Sequence, residues 1–156
     1  MILLSNGCVN IKGTALLIPK HQYIPIYHSS KGNSVDNYII NDTIQEDFPI
    51  LSIKSFCDGR VRIQAHYPME SHPDVEGWME IEYMGIFLNT YSGETHILKH
   101  PYQKSTCIHT INDAYWGYFY PVIDARNNWL KILFDENSSG WVSPDHQCAN
   151  PFTPCN

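Results

Sequence analysis

The sequence predicts an all-β fold, and three observations lead to this prediction. Apolar and polar residues alternate with a period of two in several segments, which is typical of half-buried strands. Ten prolines and nine glycines interrupt the chain about every 8–12 residues, the spacing found in β-sandwiches and barrels. Turn residues separate the alternating segments, and no segment carries a sustained apolar stripe of helical period. We expect at most a short helical turn.

Three segments carry the clearest alternation. In the segment 60–67 the residues predicted to face inward are Val61, Ile63, Ala65 and Tyr67, and those predicted to face outward are Arg60, Arg62, Gln64 and His66. In the segments 78–83 and 129–134 the inward residues are Met79, Ile81, Tyr83, Leu130, Ile132 and Phe134. Each segment therefore predicts a strand with one buried face.

Short polar sequences next to these strands predict tight turns. Asp58-Gly59 lies between two apolar runs and is a strong hairpin signal. Asn127-Asn128 lies at the corresponding place before Trp129, and asparagine tolerates the positive φ that such turns need. A further loop is predicted at 137–140, before Trp141.

The same succession of elements occurs twice along the chain. A strand, a tight turn, an alternating strand, a loop and a Gly-Trp pair fill 49–79 and again 121–142. The two pairs are Gly77-Trp78 and Gly140-Trp141. We therefore divide the chain into an N-terminal module, residues 1–90, and a C-terminal module, residues 91–156, which ends in a tail rich in cysteine and proline. Modules of this size are marginally stable alone, so we expect them to share an interface.

The end of the second module carries a recognisable motif. Trp129-Leu130-Lys131-Ile132, a polar loop and Ser139-Gly140-Trp141-Val142 follow the apolar strand Pro121-Val122-Ile123-Asp124. This pattern resembles the bacterial SH3-like (SH3b) domain, whose hairpin typically reads W-x-K-V … G-W-V. The resemblance covers about 95–144 well and 15–83 less closely, because Arg60 stands where the family has tryptophan. It implies small five- or six-stranded barrels in tandem, and it implies that the outward Trp129 helps to line a ligand groove.

Aromatic and acidic residues in the second module suggest a binding surface. One face of the strand predicted at 115–120 would present tryptophan and tyrosine, which binding surfaces favour. The same face would equally suit the interface between the modules. Nearby carboxylates at Asp113, Asp124, Asp135, Glu136 and Asp145 would favour a basic peptide or protein. We take as candidate ligand-binding residues Tyr115, Trp116, Tyr118, Tyr120, Trp129, Asp135 and Trp141.

The sequence gives little support for catalysis or for a bound metal. Cys107 and His109 lie two apart on a predicted strand, where a buried cysteine beside an exposed histidine is the expected interpretation. His96 and His100 have a spacing that suits zinc only on a helix. Hydrolase, zinc-protease and phosphate-loop motifs are absent from the sequence. We therefore predict a protein that is not an enzyme, with no cofactor and no metal.

Charge and cysteine placement bound the partner and the compartment. Ten Lys and Arg against sixteen Asp and Glu give a net charge of -6, which disfavours nucleic acid and anionic membranes as partners. No apolar run is long enough for a transmembrane helix. Cys8 either ends the remnant of a lipoprotein signal or lies in the first strand of a cytoplasmic protein. Cys148 and Cys155 bracket the tail and could form a disulfide or remain two thiols.

Two functions fit these observations. The first is a non-catalytic binding or adaptor protein that recognises a peptide, a protein or a peptidoglycan fragment at the bacterial cell envelope. The second is an intracellular protein-interaction factor, such as an immunity protein that neutralises a toxin. An acidic surface would suit the second function through electrostatic steering toward a basic toxin.

Overall fold

The structure is a computed structural model that describes residues 8–18, 21–41, 47–88, 94–112 and 119–148. This part of the chain forms thirteen strands and two 3₁₀ turns, so the predicted all-β class is confirmed. The strands are β1 Cys8–Leu17, β2 Tyr23–Tyr27, β3 Val35–Ile40, β4 Ile50–Cys57, β5 Arg60–His66, β6 Val75–Glu80, β7 Met84–Leu88, β8 Glu94–Leu98, β9 Cys107–Asn112, β10 Tyr120–Arg126, β11 Trp129–Asp135, β12 Ser138–Val142 and β13 Gln147–Cys148. The 3₁₀ turns are Ile81–Tyr83 and Pro144–His146.

The described strands pair into one antiparallel sheet. Its order is β3-β2-β6-β5-β4-β1-β7-β10-β11-β12-β8-β9, and β13 also pairs with β7. The end strands β3 and β9 are not paired with each other, so the sheet is not closed. β7 pairs with β1, β10 and β13. It therefore lies at the centre of the sheet, between the strands from the first half of the chain and those from the second half.

The pairing order contains the same arrangement twice. Strands β3-β2-β6-β5-β4 form the N-terminal repeat, and strands β9-β8-β12-β11-β10 form the C-terminal repeat in the same order. In each repeat the last strand along the chain holds glycine at its third position and tryptophan at its fourth, namely Gly77-Trp78 in β6 and Gly140-Trp141 in β12. A 3₁₀ turn follows each of these strands.

Both predicted tight turns are confirmed. Asp58 and Gly59 connect β4 to β5 with φ of 46° and 85°. Asn127 and Asn128 connect β10 to β11 with φ of 50° and 67°. A positive φ at both central residues is what a two-residue hairpin of type I′ requires, and it matches the twist of the flanking strands.

One main apolar core runs through both repeats. It includes the predicted inward residues of β5, together with Met79, Leu130 and Ile132, and Phe134 packs against its margin. Arg60 was expected to face outward, but its residue is only 8% exposed because other groups of the N-terminal repeat cover it. Ile81 was expected to continue its strand, but β6 ends at Glu80. Glu80 pairs with Arg60, the first residue of β5, so β5 offers no further residue with which Ile81 could pair.

The repeated glycines allow an isoleucine of the neighbouring strand to approach closely. A Cβ on Gly77 would lie 2.4 Å from Ile26 Cγ2, and a Cβ on Gly140 would lie 2.3 Å from Ile97 Cγ2. These contacts are equivalent in the two repeats, because β2 pairs with β6 as β8 pairs with β12.

Replacing Gly140 with alanine is expected to lower the free energy of unfolding by about 1–2 kcal/mol, since the methyl group overpacks a buried contact. Gly13→Ala is the matched control, because a Cβ there would meet Ile53 Cδ1 at an ordinary 3.8 Å. Urea denaturation of both variants measures the difference. Equal losses would show that Ile97 moves aside at little cost.

Candidate functional site

The two repeats differ at the first residue after their tight turns. Arg60 begins β5 and Trp129 begins β11, so the two side chains occupy equivalent places. Around Arg60 this place is filled by hydrogen-bonding partners, whereas beside Trp129 it is a cavity. The difference follows from the loops that cover the two residues.

In the N-terminal repeat, Arg60 closes the place with its own guanidinium. Nη1 donates to the carbonyl oxygens of Ser29 at 3.2 Å and Gly32 at 2.7 Å, which holds the loop between β2 and β3 against the strand. Nε donates to Glu80 Oε1 at 2.8 Å, and the guanidinium carbon lies 3.8 Å from the centre of the Tyr27 ring. A planar cation with five donors can serve all these groups together.

In the C-terminal repeat the equivalent place is open. Trp129 is 6% exposed and packs with Leu98 and Trp141 in a small apolar cluster separate from the main core. A cavity of about 320 Å³ lies beside it, within the size range of small-ligand sites. This Trp129 cavity is lined by His96, Leu98, Gln103, Ser105, Cys107, Trp129, Ser143 and His146.

The loop between β8 and β9 bonds to itself, and this leaves the Trp129 cavity open. The His100 N–H donates to Ser105 Oγ at 2.8 Å, and the Lys99 N–H donates to the Thr106 carbonyl oxygen at 2.9 Å. These bonds close the loop without a donor from β11. Tryptophan has a single indole N–H, so it cannot hold two loop carbonyls and a carboxylate together as Arg60 does. The loop therefore forms a wall of the cavity and does not fill it.

Ser143 places a hydroxyl at the Trp129 cavity. The residue is 7% exposed and precedes the 3₁₀ turn at Pro144–His146, but its side chain makes no capping bond to that turn. The hydroxyl is not one of the fully buried atoms without a partner in the described residues, so it reaches the solvent of the cavity, where it can bond to water or to a ligand.

A β-bulge directs Cys107 toward the same region. Leu98 pairs with Cys107 and Ile97 pairs with His109, so Ile108 is an extra residue in β9. The bulge places the Cys107 side chain on the same side of the hairpin as Thr110, with Sγ 3.6 Å from Thr110 Oγ1. Bulges commonly redirect a side chain at the margin of a site.

The thiol of Cys107 lies beside the His96 imidazole and donates to a backbone carbonyl oxygen. Its Sγ is 3.7 Å from His96 Nδ1 and 3.3 Å from the His109 carbonyl oxygen. His96 Nε2 is in turn 3.7 Å from Glu94 Oε2. Both His96 and Glu94 are more than half exposed. His96 and Cys107 line the cavity, whereas Glu94 does not.

The spacing in the sequence pointed to a different imidazole for Cys107, that of His109. His109 was expected on the same face, but its ring stacks on Phe134 with centroids 4.4 Å apart, and the bulge separates it from the thiol. The expected buried cysteine is also wrong, since Cys107 is exposed. Among the described residues no three His, Cys, Asp or Glu side chains are grouped so as to hold a metal ion.

The predicted ligand-binding residues do not all meet. Trp129 lines the cavity, and Trp141 packs against Trp129. Asp135 ends the seven-residue strand that Trp129 begins. At about 3.3 Å per residue, Asp135 is therefore roughly 20 Å from Trp129. The predicted acidic groove is dispersed in the same way: Asp124 pairs with Arg126 at 3.6 Å.

The described end of the aromatic segment lies at the seam between the repeats. Tyr120 pairs with Ile86 of β7 and packs against the main core. The Phe119 ring lies 5.1 Å from the Phe87 ring and occupies the space above Gly85. These two side chains therefore serve the interface. The predicted site residues Tyr115, Trp116 and Tyr118, and Asp113 beside them, lie outside the described residues.

Three of the described cysteines are disulfide-bonded. Cys8 bonds to Cys57, which connects the start of β1 to the end of β4. Cys148 is disulfide-bonded, and Cys155, its predicted partner, lies outside the described residues. Cys107 is a free thiol.

Asp47 is a buried carboxylate whose perturbed pKa has a structural cause. Burial raises the pKa of Asp47, but the Ser71 hydroxyl, the backbone N–H groups of Met69 and Ser71 and the charge of His72 hold it below the usual 3.8. The two backbone donors are well placed at 2.9 and 3.0 Å, whereas the Ser71 hydroxyl itself forms no well-aligned bond. This carboxylate fastens the turn after β5 and is not part of the Trp129 cavity.

A comparison with protein-family models found no match, and no curated protein matches the chain. No helix in the described residues is long and apolar enough to cross a membrane. What the chain binds must therefore be inferred from its own residues.

Proposed function

We propose that this chain is a non-catalytic binding protein that takes a peptide, a protein segment or a peptidoglycan fragment in the Trp129 cavity. The observation that carries the proposal is the cavity of about 320 Å³ itself, whose lining combines the Trp129 indole with the hydroxyls of Ser105 and Ser143. An apolar wall with a few convergent polar groups is the usual composition of a ligand site. A peptide offers both apolar side chains for Trp129 and carbonyl oxygens for Ser143.

Two SH3-like modules that share one sheet are the architecture that we propose for this function. The duplicated strand order, the Gly-Trp pair at the same position of β6 and β12, and the 3₁₀ turn after each of these strands support two copies of one unit. Only the C-terminal copy holds Trp129, and only there is the place after the tight turn left open. The N-terminal copy, with Arg60 in that place, then serves as a support.

An oxidising compartment, such as the bacterial cell envelope, suits the bonded cysteines. Structural disulfides persist outside the cytoplasm and are rare inside it. The Cys8–Cys57 bond and the bonded Cys148 therefore favour an envelope protein over an intracellular immunity protein. The same Cys8 sulfur cannot also carry a lipid thioether, so we do not propose an anchor there.

The test fills the Trp129 cavity without disturbing the core. Gln103 is exposed and lines the cavity, whereas its neighbour Lys104 is exposed and does not. We expect Gln103→Trp to lower retention on the ligand roughly tenfold, a loss of about 1.4 kcal/mol, and Lys104→Trp to leave it unchanged. Isolated cell wall and a cell lysate, each passed over the immobilised protein, supply the ligands.

Two outcomes separate the classes of ligand. Retention of wall fragments that Gln103→Trp abolishes supports a peptidoglycan ligand, and enrichment of one protein with the same sensitivity supports a protein ligand. Equal retention by Gln103→Trp and Lys104→Trp would show that the cavity is not the binding site. Thermal denaturation of both variants checks that each is folded.

A further inference from the structure

We propose that the N-terminal repeat binds a neutral oligosaccharide on its outer face, the face opposite the main core, in a second cavity beside Trp78. Such a site lies outside the Trp129 cavity and gives the N-terminal repeat a function of its own beyond support. The second cavity has a volume of about 470 Å³, within the range of small-ligand sites. We call it the Trp78 cavity, and its lining includes Tyr27, His28, Asp36, Arg62, Glu76 and Trp78.

The Trp78 cavity is open because the two repeats carry different side chains at an equivalent β-bulge. The pairing register skips Asp36 in β3 and Ile108 in β9. Ile108 fills the space beside its glycine, since its Cδ1 would lie 3.0 Å from a Cβ on Gly140. Beside Gly77 none of the three nearest atoms belongs to Asp36, so the shorter side chain leaves the equivalent space to the cavity.

Trp78 presents more of its indole than the equivalent tryptophan of the other repeat. Trp141 is 4% exposed and packs with Leu98 and Trp129. Trp78 is only half-buried and belongs to neither of the two apolar clusters that the described residues form. Tyr27 pairs with Trp78, so the two aromatic side chains leave the sheet from adjacent positions. Aromatic side chains with polar tips can stack on the apolar face of a pyranose ring and bond to its hydroxyls.

The charged groups around the Trp78 cavity supply both hydrogen-bond donors and acceptors. Arg62 Nη2 lies 3.1 Å from Glu76 Oε1, and more than half of each side chain is exposed. This ion pair can therefore bond to a ligand on its solvent side. Asp36 adds an exposed carboxylate, and His28 adds an exposed imidazole.

This mixture of charges favours a neutral ligand. An anion would meet the carboxylates of Asp36 and Glu76, and a cation would meet the guanidinium of Arg62. A hydroxyl group both donates and accepts, so it bonds to a carboxylate and to a guanidinium without either penalty. A neutral sugar carries several hydroxyls around an apolar ring face and so matches the whole lining.

Exposed tyrosines extend the aromatic surface away from the Trp78 cavity. Tyr23 is 61% exposed and Tyr38 is 52% exposed. Tyr23 lies on the same face of β2 as Tyr27, four residues away, which is about 13 Å along the strand. Tyr38 pairs with Pro25, which lies between them on that face. This surface is longer than one pyranose ring, so we infer an oligosaccharide.

An NMR titration of the isotope-labelled full chain with neutral trisaccharides tests the inference. The probes are maltotriose, cellotriose, mannotriose and tri-N-acetylchitotriose. We expect at least one of them to shift the indole N–H signal of Trp78 and the amide signal of Gly77. The indole signal of Trp141, which is buried in the other repeat, should stay unchanged.

Asp36→Ile fills the Trp78 cavity with a side chain that the other repeat already accommodates at its equivalent bulge. It should weaken binding of the trisaccharide roughly tenfold or more. Asn37→Ile is the matched control, because Asn37 is exposed on the same strand and does not line the cavity, and it should bind like the wild type. Tyr38→Ser should weaken the trisaccharide several-fold and leave binding of the matching monosaccharide unchanged.

The inference fails if none of the four sugars shifts the Trp78 signal, or if Asp36→Ile and Asn37→Ile bind equally. Stronger binding of trilysine or of a sulfated trisaccharide would replace the neutral sugar by a charged ligand. If no sugar binds and Tyr38→Ser turns a dimer into a monomer in gel filtration, the face is an interface between copies of this chain. Gln103→Trp should bind the trisaccharide like the wild type, so that this site and the Trp129 cavity are tested separately.

Discussion

Replacing Cys8 with serine is expected to lower the free energy of unfolding by about 4 kcal/mol. The Cys8–Cys57 bond joins residues that are 49 positions apart. In the chain-entropy account, closing a loop of about 50 residues lowers the entropy of the unfolded state and so stabilises the folded state by roughly this amount. Cys8 is only half-buried, so the new hydroxyl can reach water and adds little cost of its own. For a chain of this length the melting temperature should fall by about 8–16 °C.

The position of the bond gives it importance for the whole sheet. Cys8 pairs directly with Cys57 at the end of the β1–β4 ladder, and β1 also pairs with β7. Strand β1 therefore connects the N-terminal repeat to the strand from which β10 of the C-terminal repeat extends. Cys107→Ser is the control for calorimetry and should leave the melting temperature unchanged. A fall of less than 2 °C for Cys8→Ser would show that the ladder alone secures β1.

The parts of the fold that could be predicted are those decided by neighbours in the sequence. Asp58-Gly59 and Asn127-Asn128 form type I′ turns because these residues accept positive φ wherever they stand. Alternation in β5 and β11 placed the inward residues correctly, because a one-residue error would turn a whole apolar face to water. The duplicated order of strands follows from the same local signals repeated.

Arg60 shows where such signals end. The alternation assigned it to the outward face, and it is covered by Tyr27 at the end of β2 and by Ser29 and Gly32 in the loop that follows, about thirty residues earlier. No local pattern indicates that a guanidinium will find three acceptors and an aromatic ring. The sequence showed that Arg60 and Trp129 occupy equivalent positions. It did not show that Arg60 fills the place after its tight turn while a cavity lies beside Trp129.

The candidate site was the least predictable part, for a specific reason. The register between β8 and β9 skips Ile108, and the sequence Cys-Ile-His-Thr reads the same in a regular strand as in a bulged one. The bulge replaced His109 by His96 as the neighbour of Cys107. Ser143 was missed because its place at the cavity depends on residues of other elements, Trp129 among them.

Arg60→Met is expected to lower the free energy of unfolding by about 2–3 kcal/mol. Removing one partner of a buried ion pair typically costs 3–5 kcal/mol, and we take a lower value because Glu80 is one-third exposed and can be hydrated after the loss. Methionine keeps most of the apolar volume, so the loss reports the charge and its hydrogen bonds. The carbonyl oxygens of Ser29 and Gly32 lose their donor, and the loop between β2 and β3 should exchange its amide hydrogens faster.

Arg62→Met is the matched control for this prediction. Arg62 lies two residues further along β5 and pairs with Glu76 at 3.1 Å, but both side chains are about half exposed. An exposed ion pair contributes little, so this variant should cost less than about 0.5 kcal/mol. Urea denaturation compares the two, and similar losses would mean that burial and the loop contacts give Arg60 no special role. We expect a larger loss for Arg60→Met, with faster hydrogen exchange confined to β5 and the loop between β2 and β3. This result would identify the guanidinium as the group that fills the place after the tight turn in the N-terminal repeat. In the C-terminal repeat Trp129 leaves the equivalent place open.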